Sequence, residues 1–451
     1  MEKVLECPYF GMCGGCAMLD MEYEAQLEKK NSEVHEILKG AVREPLKEDW
    51  YEGIKPAPMP RRYRNKMEYT FGDEYKDGPL ALGMHKKRSF HDIITVDTCV
   101  LVHSDFNLIL RATRDFFSER KTSYFHRKSH EGYLRHLLVR RGVNSAEILV
   151  DLVTTTQMET GAERELLEAW KDCLLSLKEK GKLEGSFAGI LHTKNDGLAD
   201  TVRDEGTEVL YGRDHFFESL IGLEFKISPF SFFQTNSAGA ELLYETTREY
   251  ASEVVDITKK KSVIFDLYSG TGTIAQMMSP VADTVVGVEI VEEAVEAAKE
   301  NAERNGLHNC TFYAGDVMKV VPTLSETPDL IILDPPRDGC HPKALPGIID
   351  FDAPSIVYVS CKVTSLARDL QLLQDRGYRV VRAVAVDEFP LTKHVETVVC
   401  LSKGDVKSKK IRVEFSLEDM DTDGFKKGAT YNAIRDWIKT KYGYRVTNLN
   451  I

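Results

Sequence analysis

Cysteine is the residue with the most chemistry to offer in this sequence, and its copies fall into distinct settings. Cys361 closes a short apolar run, Ile356-Val357-Tyr358-Val359-Ser360, immediately before a helix-forming stretch. A thiol at the mouth of a buried strand can serve as a nucleophile. Cys7, Cys13 and Cys16 crowd the N-terminal "CPYFGMCGGC", and Cys99 follows far downstream in "VDTCVL". Four thiolates suit a structural zinc ion or a [4Fe–4S] cluster, and the Cys-x5-Cys-x2-Cys spacing leaves both open. Cys173, Cys310 and Cys400 stand alone and read as small core side chains. Carboxylates accompany the Cys361 thiol in the same half of the chain. Asp334 opens "DPPRDGCHP", where paired prolines stiffen the turn that carries it and Arg337. Glu396 ends "DEFPLTKHVE", just after His394.

These side chains need a scaffold that gathers them. After about residue 260, "SVIFDLYSG", "TVVGVEI", "CTFYAGD", "DLIILDPP" and "SIVYVSC" are apolar runs separated by helical segments such as "VEEAVEAAKENAERNG". Strand and helix in alternation predict βαβ units and a parallel, doubly wound sheet. Right-handed crossovers put the C-terminal ends of those strands on one rim, where such sheets bind ligands. In "DLYSGTGT", Gly270 and Gly272 allow a tight strand-to-helix turn beside a ligand. Glu289 ends the second run, the usual place for a carboxylate that binds a ribose diol. Asp316 follows the third run, where it could reach an adenine amine. Ala275 breaks the Gly-x-Gly-x-x-Gly pattern of dinucleotide sites, so a nucleoside cofactor other than NAD is expected. "VETVVCLSK" supplies a last strand.

The first half reads differently. "YEAQLEKKNSEVHEIL" predicts an amphipathic helix, and residues 61–228 show short alternating strands interrupted by one helical stretch at 160–180. The net charge is −12, yet positive charge is clustered. Residues 55–66 hold five Lys/Arg and no acid, residues 84–91 hold three Lys/Arg with two His, and residues 119–141 hold seven Lys/Arg against two Glu. Basic residues interleaved with aromatics can hold phosphates and stack bases, although a solvated face has the same composition. No apolar run reaches the ~18–20 residues of a membrane span. The N-terminus lacks a basic and apolar leader, so a cytoplasmic protein with no membrane partner is expected.

A thiol and a carboxylate beside a nucleoside cofactor suit chemistry on an electron-poor pyrimidine. Thiolate attack at uracil C6 turns C5 into a carbon nucleophile for an electrophilic methyl; a base then takes the C5 proton, and β-elimination returns the thiol. "FFQTN", "DLYSGTGT", "DPPRDGCHP", "SCKVTSLARDL" and "FPLTKHVE", in that order, resemble the motifs of the RNA (uracil-5-)-methyltransferase family. The likeness runs from residue 1 to about 404. It implies an α/β architecture. A Rossmann-like, S-adenosylmethionine-dependent methyltransferase domain with a mostly parallel seven-stranded sheet would occupy residues 231–404. An N-terminal iron–sulfur and β-rich RNA-binding domain would occupy 1–230, and 405–451 is left as a basic linker and short helical extension. The resemblance carries Cys361 over as nucleophile and Glu396 as proton-abstracting base. Gln234, Tyr268, Glu289 and Asp316 match cofactor-binding positions, and Asp334 matches the aspartate that approaches the sulfonium and the target base. Cys7, Cys13, Cys16 and Cys99 are similar to the [4Fe–4S] ligands of a subset of the family.

The chain departs from the family pattern at Lys362-Val363, where Asn-Pro is usual. A looser loop and a lysine that lowers the Cys361 pKa are expected from that change. Cys7 stands almost at the start, so the small β-barrel RNA-binding module of some members is not expected ahead of the cluster. The basic stretches would then carry more of the RNA contact. Cluster-bearing relatives point to 23S ribosomal RNA, at a uridine that is unpaired or flipped out, acted on by a monomer. Transfer RNA is the alternative substrate. A non-catalytic iron–sulfur RNA-binding protein is the alternative class, and it would leave Cys361 and Glu396 without a task.

Overall fold

A computed structural model describes residues 6–89, 91–199, 201–255 and 261–404; the extension at 405–451 lies outside the described residues. The chain forms two compact units that interleave along the sequence. Of the described residues, the first takes those up to Lys30, Pro56–Leu242 and Asp387–His394; the second takes Asn31–Lys55, Leu243–Val386 and 395–404.

The first unit is built on a seven-stranded sheet, in the order Ile93–Ile94, Leu80–His85, Lys66–Asp73, Leu134–Arg141, Glu147–Thr154, Ser186–Lys194, Thr207–Gly212. Neighbours are antiparallel except Glu147–Thr154 and Ser186–Lys194, which run parallel. The helix Thr160–Glu179 makes that possible by carrying the chain back across the sheet. Sequence pattern predicts this one helix, and a second is present at Ser104–Glu119. Its buried residues Phe106, Ile109, Leu110, Thr113, Phe116 and Phe117 have helical spacing, but adjacent aromatics favour strand when read locally. Both helices share one core: Phe117 meets Phe71 edge-on at 5.9 Å, and the Trp170 indole donates to Thr113 Oγ1 at 3.2 Å.

The second unit holds an eight-stranded sheet, one strand more than expected. Its order is Tyr51–Lys55, Arg379–Val386, Glu396–Ser402, Ser355–Ser360, Leu330–Leu333, Val263–Leu267, Thr284–Glu289, Cys310–Ala314. The additional strand is the edge segment Tyr51–Lys55, parallel to Arg379–Val386, whose polar sequence "YEGIK" gives no apolar run to read. Glu396–Ser402 is antiparallel to both its neighbours, and the other pairs are parallel. Strand order reverses between Val263–Leu267 and Leu330–Leu333. The crevice beyond the C-terminal ends of strands at such a reversal is where open α/β sheets take ligands. Both strands are buried throughout, as a sheet covered on two faces requires. Cys400 is a core side chain as expected, whereas Cys173 and Cys310 are only half-buried. No helix among the described residues is long and apolar enough to cross a membrane.

Candidate active site

The nucleophile candidate owes its setting to strand register. Ser360 pairs with Thr397 across the antiparallel strands Ser355–Ser360 and Glu396–Ser402. The next residue outward on one strand is Cys361 and on the other Glu396, so thiol and carboxylate leave the sheet side by side. Leu333 pairs with Tyr358 on the opposite neighbour, which brings Asp334 to the same edge. The three groups feel one another. Burial pushes the Cys361 thiol up to about 11, and the charges of Glu396 and Asp334 add to the rise while Arg337 opposes it. Glu396 is 4% exposed. Burial, then the Asp334 charge, pushes its carboxyl up to about 8. Asp334 keeps some surface at the rim, but the protein around it pushes its carboxyl up to about 7. A carboxylate tuned to near-neutral pH beside a thiol is an arrangement for moving protons.

The expectation for Lys362 does not hold in the form given. The cation that opposes the rise at Cys361 is Arg337, and Lys362 turns to Asp338, 3.8 Å away. Nor is the loop long enough to be loose. Ser360 ends the strand and Val363 starts the helix Val363–Asp375, and the Ser360 hydroxyl both accepts from Lys362 N at 3.2 Å and donates to Lys362 O at 3.1 Å.

The cofactor candidates follow the neighbouring strands. Leu267 pairs with Leu333, so Tyr268 and Asp334 leave adjacent strands at the point of reversal. Tyr268 has φ of +68°, an uncommon conformation for a residue with a side chain, and its phenol is raised by burial. Gly272 has φ of +74°, and a Cβ there would lie 2.6 Å from Phe312 Cε1, so the turn tolerates only glycine. Gly270 N donates to Glu289 Oε2 at 3.1 Å, while Ile290 N and Val291 N donate to Oε1 at 2.8 and 3.0 Å. Glu289 is thereby fixed at the rim. Asp316 is exposed and caps the helix Val317–Val320 by accepting from Met318 N at 2.9 Å. Gln234 lies in the first unit, where its carbonyl accepts from Asn65 Nδ2 at 2.9 Å. Sequence reasoning passed over Asp266. It is fully buried, and burial with the charges of Asp334 and Glu289 raises its carboxyl against a weak opposing contact from the Ala275 amide. The available signal was an acid inside the apolar run "VIFDL", a costly place for a charge.

In the first unit Cys7, Cys13, Cys16 and Cys99 line one cavity, together with apolar side chains such as Phe10 and Leu101. Burial pushes the Cys16 thiol up to about 12 and Cys99 up to about 11, and in both the charges of the companion cysteines add to the rise. Among the described residues no three His, Cys, Asp or Glu side chains form a group that could hold a metal ion. The basic stretch 119–141 divides. Lys121 and Lys128 are exposed, but Arg135 is buried and donates to the carbonyls of Asn195, Gly197 and Ala199 at 2.5–2.8 Å. Arg140 is equally buried and holds Ser228 O and Ser231 O at 2.7 and 2.8 Å. Those two cations serve the fold, not a surface.

A strand-order reversal, a glycine turn and rim carboxylates define an S-adenosylmethionine-dependent methyltransferase fold. Residues 258–420 match a methyltransferase domain family. The chain is 47% identical over 400 residues to an uncharacterized RNA methyltransferase of Clostridium tetani, covering 89% of this chain and 84% of that protein. It is 48% identical over 398 residues to one of Clostridium acetobutylicum, covering 88% and 84%. The chain belongs to the RNA methyltransferase family. Among solved structures it is similar to the Pyrococcus abyssi tRNA (uracil-54, C5)-methyltransferase in complex with S-adenosyl-L-homocysteine. That likeness has a TM-score of 0.67 and 28% identity over 87% of this chain and 86% of that one.

Proposed function

We propose that this RNA methyltransferase methylates C5 of uracil, with 23S ribosomal RNA as substrate. The observation that carries the reading is the register that sets Cys361 beside Glu396 with Asp334 at the same edge. S-adenosylmethionine, when bound, supplies an electrophilic methyl on a sulfonium. Tyr268, Glu289 and Asp316 line the rim where its nucleoside would lie, Asp334 faces the reacting centre, and Gln234 joins them on the resemblance alone. Cys361 adds to C6 of a flipped-out uracil, which makes C5 nucleophilic. After methylation Glu396 accepts the C5 proton, the C6–S bond breaks by β-elimination, and the thiol is regenerated. Transfer RNA is a second reading, favoured by the likeness to the archaeal tRNA (uracil-54, C5)-methyltransferase.

We also assign Cys7, Cys13, Cys16 and Cys99 to a [4Fe–4S] cluster. The donor chemistry fits, since four free thiols face one cavity. The choice of the cluster over zinc rests on the resemblance alone. The cluster would tie the N-terminal segment to the sheet, and it has no step in the methyl transfer. Cys13→Ser is expected to lose the brown absorbance and lower the melting temperature of the first unit; unchanged iron content would remove the assignment.

The deciding experiment is mass-spectrometric mapping of 5-methyluridine in ribosomal and transfer RNA from cells lacking the protein. A uridine in 23S RNA that loses its methyl supports the first reading, a tRNA uridine the second. No change in 5-methyluridine anywhere overturns both.

A further inference from the structure

One buried carboxylate joins the turn after Asp334 to the helix after Cys361. Asp369 is 3% exposed. Its Oδ2 accepts from Cys340 N at 2.9 Å and from the Tyr358 hydroxyl at 2.7 Å. Its Oδ1 accepts from Arg368 Nε and Nη2 at 2.9 and 2.7 Å. Arg368 Nη2 also donates to Asp338 O at 2.8 Å, and Ser365 Oγ donates to Arg337 O at 3.0 Å. Gly339 lies at φ +80°, and a Cβ there would come within 2.6 Å of both Arg368 Nη2 and Asp369 Oδ2. The turn from Arg337 to Cys340 is thus bonded along its length to Ser365, Arg368 and Asp369 on the helix Val363–Asp375. Tyr358, the fourth donor's owner, sits on the strand that leads to Cys361.

We infer that Asp369 is a positioning residue, a latch that fixes the Asp334–Arg337 turn against the Cys361 thiol. A buried carboxylate with four donors has no spare capacity, and removing it strands the buried Cys340 N and Tyr358 hydroxyl, while the half-exposed Arg368 loses the partner that aligns it. Once the turn is released, the Arg337 guanidinium leaves the neighbourhood of the thiol, and Lys362, turned toward Asp338, does not replace it. The thiolate then forms less readily, and Asp334 loses its place beside the reacting centre. The consequence for turnover rests on the uracil reading given above; the latch itself does not.

The test uses the full chain in four forms: Asp369→Asn, Asp369→Ala, Arg337→Ala and the Asp369→Asn/Arg337→Ala double variant. Alkylation of Cys361 by iodoacetamide is followed against pH, read on its own peptide by mass spectrometry because the chain has nine cysteines. The midpoint is expected to rise by about one pH unit in Asp369→Ala and in Arg337→Ala, and by less in Asp369→Asn, which keeps the shape and one acceptor oxygen but loses the charge and turns the other oxygen into an NH2 donor. The double variant should match Arg337→Ala, since the two changes act through one contact. Methyl transfer should lose about tenfold in kcat with the KM for S-adenosylmethionine within about twofold. Should Asp369→Ala not fold, Gly339→Ala releases the same turn and is read in the same way. Asp369 variants that melt earlier yet keep the wild-type midpoint and kcat would reduce Asp369 to a structural residue. Alkylation needs no RNA, so a shifted midpoint in a protein that leaves uridine unmethylated sinks the uracil reading and spares the latch.

Discussion

The sheet of the first unit and the rim of the second handle buried charge in opposite ways. In the first, Arg135 spends its donors on backbone carbonyls, and Lys30 meets Asp387 at 2.6 Å with both side chains fully buried; Arg140 is held only through Nη1, and burial pushes its guanidinium down to about 9. Asp105 is likewise enclosed by Arg141 Nε at 3.1 Å and the amide of Gly185 at 3.0 Å. On the rim, Asp266, Asp334 and Glu396 are held with too little compensation, and burial drives all three carboxyls up. On the proposed mechanism that unfavourable burial has a task, because a raised carboxyl is what a proton-transfer site uses. Asp151 warns against a rule drawn from titration alone. Its carboxyl is pushed up to about 7 although Thr193 Oγ1 donates to it at 2.9 Å, and it lies on a central strand with no thiol or turn beside it.

The comparison can be broken most decisively at the thiol. Cys361→Ala is expected to lower methylation by at least ~10⁴-fold while RNA binding persists; full turnover in a methyl-transfer assay would show that the rim works without a nucleophile. Glu396→Gln comes next. Its rate should fall by about 10²–10⁴-fold, with a covalent RNA–protein adduct accumulating on gels because the C5 proton stays in place.

The same carboxyl predicts opposite slopes for rate and stability. Glu396 must be ionised to accept a proton, so turnover should rise with pH through about 8. Stability should do the reverse. Below the ordinary value of 4.5 both folded and unfolded states hold the proton; between there and about 8 only the folded state does, so folding weakens as pH rises across that window. Chemical denaturation of Glu396→Gln should show a flatter slope and a gain over wild type at pH 8 on the order of a few kcal/mol. A wild-type slope retained in the variant would place the titration elsewhere.

In the first unit Arg140 holds two backbone carbonyls through Nη1. Arg140→Met should cost about 3 kcal/mol in denaturant unfolding by stranding the carbonyls of Ser228 and Ser231, with the Cys361 alkylation profile unmoved. The smallest effect is expected at Lys362-Val363. Changing both to Asn-Pro should alter the methylation rate by no more than about threefold, because the link between strand and helix is already held by the Ser360 hydroxyl. A total loss of activity would mean that the loop is misread.

Much of this was legible in the linear chain for an identifiable reason. A strand buried on both faces must be a continuous apolar run, so "VIFDL", "LIIL" and "SIVYVS" announce themselves, and the residues that end them are rim residues by topology. The edge strand "YEGIK" and the helix at Ser104–Glu119 escaped because neither carries a pattern that local rules can assign. Residue types and position also marked Cys361 and the crowded Cys7, Cys13 and Cys16, while the family resemblance picked out Glu396 as base and joined Cys99 to the set. What the sequence could not supply was proximity. That Cys361 stands beside Glu396 follows from one antiparallel strand inserted between parallel ones, and that the charge of Arg337, not that of the adjacent Lys362, opposes the rise at the thiol follows from the folded path of the turn bonded to Asp369. Charge near a group is set by folded distance and by the water removed around it, and neither quantity exists along an extended chain.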